Sequence, residues 1–122
     1  MRILLVEDHD DTRLATEACL AQQGATVTVM ASAQQALVAL SKERFDVVVT
    51  DYGMPQHNGR WLLDRVGELA TPVPPVIVVT GYSDREVEDL RRAPFARVVR
   101  KPVDFDQLCD ELLAIVREHR QP

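Results

Sequence analysis

Five short runs rich in Val and Ile, at 3–6, 26–30, 47–49, 76–79 and 97–99, alternate along this chain with stretches of helical period. The runs read as strands. Among them 3–6 and 76–79 are uninterrupted apolar segments, as a sheet covered on both faces requires. Between them, Leu14, Ala18 and Ala21 share one stripe, as do Ala36, Leu37 and Leu40, then Leu62, Leu63, Val66 and Leu69, and finally Leu108, Leu112 and Val116. A fourth helix, about 84–92, has only Val87 and Leu90 as clear apolar anchors, so it should dock most weakly. Strand-helix alternation favours parallel pairing through right-handed crossovers. The expected fold is therefore α/β: a doubly wound, five-stranded parallel sheet with five helices on its two faces.

Local punctuation agrees with this pattern. Gly24 stops the first helix, Ser32 caps the second, and Ser83 stands three residues before Glu86 with capping-box spacing at the fourth. Pro94 follows that fourth helix, and Pro72, Pro74 and Pro75 crowd the loop before the fourth strand, where a missing amide donor costs little. With 46% hydrophobic residues in 122, residues 1–122 suit one compact domain.

Charge and composition exclude several classes. Fourteen Lys and Arg against nineteen Asp and Glu give a net charge of −5, which argues against a nucleic-acid binder needing a basic face. No apolar run approaches the roughly 20 residues that cross a bilayer, and the chain enters a strand directly after Met1-Arg2, so neither a membrane span nor a secretory leader is expected. Cys19 and Cys109 lie outside metal-ligand spacing and are too few for a disulfide framework. They read as small buried residues on helices that share one side of the sheet, in a cytoplasmic protein.

In an open parallel sheet, ligands bind where loops leave the carboxyl ends of the strands. Glu7 and Asp8 follow the first strand, Asp51 ends the third, Thr80 the fourth and Lys101 the fifth. Convergent carboxylates repel: at about 4 Å and an effective dielectric near 20, each like pair costs on the order of 4 kcal/mol, so the cluster calls for a cation or a proton. Hard oxygen donors suit Mg²⁺. An ammonium and a hydroxyl beside them make a site for phosphoryl chemistry. His9, His57 and His119 are scattered and read as surface residues. Trp61, which opens the third helix, and Met54 read as packing residues.

The pair Glu7-Asp8 after Ile3-Leu4-Leu5-Val6, the segment Asp51-Tyr52-Gly53-Met54-Pro55 followed by Gly59, then Thr80-Gly81 and Lys101-Pro102, resemble the receiver domain of two-component response regulators over residues 2–117. The resemblance implies a flavodoxin-like strand order 2-1-3-4-5. It implies that Asp51 is the phosphoacceptor, taking a phosphoryl group from a sensor histidine kinase or phosphotransfer protein. It further implies that Glu7, Asp8, Asp51 and the Gly53 carbonyl hold Mg²⁺, and that Thr80 and Lys101 bind phosphoryl oxygens. A cis Lys101–Pro102 bond is common in the family. Phosphorylation would alter the surface of helix four, strand five and helix five, which meets a downstream protein effector or a second copy of the chain. The expected role is a phosphorelay switch rather than a turnover enzyme, with no direct nucleic-acid or membrane partner. The chain stops at Pro122, as a standalone receiver or one excised from a larger kinase or regulator would.

One position departs from the pattern: three residues before the lysine, where receivers often carry a switching aromatic, stands Val98, with Phe95 three residues further upstream. In such a receiver Gly53 and Tyr82, each two residues beyond a site residue, would flank the route of water to the phosphoryl group. Two alternatives stand beside this reading. A magnesium-dependent phosphatase or nuclease would need an Asp-x-Asp pair, which neither Glu7-Asp8-His9 nor Asp51-Tyr52-Gly53 supplies. A receiver-like binding module that is never phosphorylated has no use for the intact set Glu7, Asp8, Asp51, Thr80 and Lys101. Flavin or nucleotide binding would want Gly, Ser or Thr where the first loop is acidic.

Overall fold

The computed structural model describes residues 1–69, 72–81 and 83–120, the side chain of Arg120 excepted. Its elements run β1 Arg2–Val6, α1 Asp10–Gln22, β2 Thr26–Met30, α2 Ala33–Lys42, β3 Val47–Asp51, α3 Gly59–Val66, β4 Val76–Thr80, α4 Asp84–Arg91, β5 Arg97–Arg100 and α5 Phe105–Arg120. All strand pairs are parallel, in the order β2-β1-β3-β4-β5. That is the flavodoxin-like arrangement. It explains the burial: β3 and β4, flanked on both sides, are buried at every residue, whereas the edge strands β2 and β5 are only partly covered.

Alternate strand residues feed two cores, as the period of two dictates. Leu4, Val6, Val48 and Val76 pack with Ala33, Ala36 and Ala39 of α2 and Leu62, Leu63 and Val66 of α3. Ile3, Leu5, Val47, Val49, Ile77 and Val79 pack with Leu20 of α1 and with Leu108, Leu112, Ile115 and Val116 of α5. Cys109 is buried in this second core and Cys19 is half-buried; α1 packs on α5. Burial first, then the charge of Asp106 and the proximity of Cys19, pushes the Cys109 thiol up, which keeps it a neutral packing residue.

The helix ends follow their capping residues. The amide of Gln35 donates to Ser32 Oγ at 3.2 Å, that of Trp61 to Asn58 Oδ1 at 2.9 Å and that of Glu86 to Ser83 Oγ at 3.5 Å. Gly24, with φ 88, ends α1 in the left-handed region.

Two expectations are corrected. The stripe Leu14, Ala18 and Ala21 does not face the core: Leu14 is 60% exposed, both alanines are exposed, and α1 is held by Leu20. Alanine is equally at home on either face, and a single exposed Leu is ordinary, so the stripe carried little orienting information. α3 ends at Val66, which leaves Leu69 in the turn that follows. α4 ends at Arg91; as expected it buries Val87 and Leu90, and it packs principally on β5.

Candidate functional site

The carboxyl ends of β1, β3, β4 and β5 deliver the expected residues to one rim. Ladder bonds continue past the strand ends and fix them there: the amide of Glu7 donates to Met30 O (3.0 Å), that of Tyr52 to Val79 O (2.9 Å) and that of Lys101 to Thr80 O (2.8 Å). Asp51 pairs in register with Val79, so Thr80 stands one residue beyond it on the neighbouring strand. Asp51, Glu7 and Thr80 are all buried, at 7%, 4% and 1% exposure.

Glycine is required beside Asp51. A Cβ on Gly59 would lie 3.0 Å from the Asp51 carbonyl oxygen and 3.2 Å from Tyr52 Cα, both backbone atoms that cannot swing aside. Its amide donates to Tyr52 O at 2.8 Å, so the start of α3 is drawn against the end of β3. The intervening loop makes a positive-φ γ-turn at Gln56 (φ 71), closed by the His57 amide donating to Pro55 O at 2.8 Å. Met54 is buried in the loop, and the His57 ring stacks on Trp61 at 3.9 Å.

Buried carboxylates need counter-charge. Lys101 Nζ lies 3.1 Å from Asp51 Oδ1 and 4.0 Å from Glu7 Oε1, reached from a cis Lys101–Pro102 peptide. The ammonium reaches two of the three carboxylates, so the neutralisation is incomplete. Burial first, and the Asp51 charge second, hold the Glu7 carboxyl above its ordinary value of 4.5. Asp8 Oδ1 is buried with no hydrogen-bond partner among the described residues. Glu7, Asp8, His9 and Asp51 each offer one ligand atom, all within 4.8 Å of one another. An orphaned buried oxygen among hard donors carrying surplus negative charge fits a divalent cation.

His9 was read as a surface residue. Its side chain is 70% exposed, yet Nδ1 stands 3.4 Å from Asp8 Oδ1 and 3.6 Å from Glu7 Oε2. The only signal of this in the sequence was its place directly after the acidic pair. Gly53 lies half-buried in the loop after β3, and Tyr82 falls outside the described residues. A cavity of about 40 Å³ adjoins Glu7, Asp51 and Lys101. A larger one of about 510 Å³ lies at the opposite end of the sheet, lined by Val66, Pro75, Val76 and Ile115, and includes none of these acidic groups.

The sequence matches the response regulator receiver domain family over residues 3–113. It is 38% identical over 106 residues to an uncharacterized 14.6 kDa protein of Leptolyngbya boryana, covering 85% of this chain and 81% of that one. It is 30% identical over 125 residues to the DNA-binding transcriptional regulator NtrC of Salmonella typhimurium, covering 98% of this chain but 26% of NtrC. In structure it superposes, with a TM-score of 0.87 and 24% identity, on the receiver domain of a sensor histidine kinase from Pseudomonas aeruginosa, described with a magnesium ion coordinated in its active-site cleft; the match covers 95% and 97% of the two chains. The chain thus spans most of one relative and about a quarter of another. Matched across its motifs and across its fold, this chain belongs to the response regulator receiver domain family, the phosphoacceptor switches of two-component signalling.

Proposed function

We propose that Asp51 is the phosphoacceptor of this receiver. The observation that carries this reading is a carboxylate buried at the end of the central strand, with an ammonium 3.1 Å away and two further carboxylates beside it. An Asp51 oxygen attacks the phosphorus of a phosphohistidine on a partner kinase or phosphotransfer protein. The phosphorus–nitrogen bond breaks, the imidazole leaves with the bonding pair, and an acyl phosphate remains. Lys101 holds one phosphoryl oxygen and the Thr80 hydroxyl donates to another. Both groups stand on strand ends, so little reorganisation opposes charge development.

Glu7, Asp8, Asp51 and the Gly53 carbonyl would hold Mg²⁺. When bound, the ion supplies positive charge to the transferring oxygens. The cavity of about 40 Å³ is far below the about 300 Å³ of small-molecule sites, which favours a donor presented at the mouth by a protein over a small ester drawn inside. This supports a signalling switch over a turnover enzyme.

Output passes through α4, β5 and α5. Phosphorylation adds charge and acceptor oxygens beside Thr80, and α4, which packs principally on β5, shifts between two arrangements. Val98 borders a cavity of about 250 Å³ between these elements, lined also by Arg91, Arg100 and Glu111. A downstream protein or a second copy of the chain docks on this surface. No described helix is long and apolar enough to cross a membrane, and with the family's kinase partners this supports a cytoplasmic location.

Incubation with a small phosphodonor and Mg²⁺, read by intact mass, should add one phosphoryl group to the wild type and none to Asp51→Asn. A full adduct on Asp51→Asn, or turnover of a phosphate ester by the wild type, would contradict the proposal.

A further inference from the structure

His9 occupies the N-cap position of α1, yet its side chain makes no capping hydrogen bond. It turns toward the acidic pocket, where Nδ1 lies 3.4 Å from Asp8 Oδ1 and 3.6 Å from Glu7 Oε2. Both separations exceed the 2.7–3.2 Å of an N–H···O hydrogen bond. They match a different spacing. Two donors bound about 2.1 Å from one metal ion stand about 3.0 Å apart along an octahedral edge and about 3.4 Å apart along a tetrahedral one. The oxygen nearest the imidazole, Asp8 Oδ1, is the buried atom with no hydrogen-bond partner.

We infer that His9 is a direct ligand in this pocket and that it broadens the ion accepted from Mg²⁺ to borderline divalent transition ions such as Co²⁺, Ni²⁺ or Zn²⁺. The inference rests on the metal pocket proposed above. Mg²⁺ takes oxygen donors and gains little from an imidazole, whereas these ions gain a strong bond. The four ligand atoms all lie within 4.8 Å of one another, on the scale of the about 4.2 Å that spans an octahedral shell. The His9 side chain, 70% exposed, has room to turn toward the carboxylates. The three carboxylates form the deeper wall of the site, and the imidazole closes its mouth.

The test titrates Co²⁺ and, separately, Mg²⁺ into the full chain by calorimetry at about pH 8, where free imidazole is neutral, with the visible absorption of Co²⁺ followed alongside. His9→Gln should weaken Co²⁺ at least about tenfold, change its absorption, and alter Mg²⁺ affinity less than about twofold. Asp8→Asn should weaken both ions. Equal losses of Co²⁺ and Mg²⁺ in His9→Gln, or no loss of Co²⁺, would overturn the inference while leaving the Mg²⁺ pocket in place. Failure of the wild type to bind Mg²⁺, or of Asp8→Asn to weaken it, would instead remove the pocket on which the inference rests.

Discussion

A carboxyl whose pKa is raised by folding makes the folded state bind a proton that the unfolded chain has already released. Glu7 is such a group in the metal-free protein: burial and the neighbouring Asp51 charge outweigh the lowering by Lys101 and by the His9 amide. The unfolded chain titrates near 4.5 and the folded chain higher, so Glu7 contributes least cost at low pH and destabilises progressively as pH rises through that window. In the presence of a chelator, Glu7→Gln should melt like the wild type below about pH 4.5 and above it at neutral pH. The gap should open as pH rises. Melting curves at a series of pH values check this, and a gap independent of pH, or one of opposite sign, would contradict the assignment. At this scale five residues were legible in the sequence, because each stands at or just past the end of a strand-like run, in the order the receiver family shows: Glu7, Asp8, Asp51, Thr80 and Lys101. The proximity of His9 to its neighbours' carboxylates was not legible, since it depends on which way an exposed side chain turns at a helix start. The closeness of Gly59 to the Asp51 carbonyl follows from the tight return of the loop after β3, where the Gly59 amide donates to Tyr52 O; the motif placed this glycine, but its contact could only be seen in the fold.

Among the elements, the strands announced themselves through short runs rich in Val and Ile and their order through the family resemblance, and four helices through stripes or caps that the fold uses. α1 did not. With Ala15, Ala18 and Ala21 distributed around it, Leu14 suggested a face that proves to be exposed, while Leu20 alone is fully enclosed, with Thr16 and Cys19 half-buried beside it. The two leucines should therefore behave oppositely. Leu20→Ala should cost about 2–5 kcal/mol and Leu14→Ala no more than about 0.5 kcal/mol in urea unfolding of the full chain. A larger loss at Leu14 than at Leu20 would mean that α1 is rotated relative to this account. The thin anchoring of α4, through Val87 and Leu90 onto β5, makes it the element best suited to move when the site changes charge.

The whole molecule places its chemistry where an open parallel sheet offers it, at the carboxyl rim, and keeps a larger cavity of about 510 Å³ at the other end. Two cores lie on the two faces of the fully buried β3 that ends at Asp51, and the surplus of carboxylate over ammonium at the rim suits a cation. Every part of this account turns on which atom takes the phosphorus. After reaction with a small phosphodonor and Mg²⁺, reduction with borohydride converts an aspartyl phosphate to homoserine, and peptide mass spectrometry locates it. The account predicts homoserine at position 51 alone. Homoserine at position 8 or 10, or none in a protein that carries the phosphoryl adduct, would contradict it.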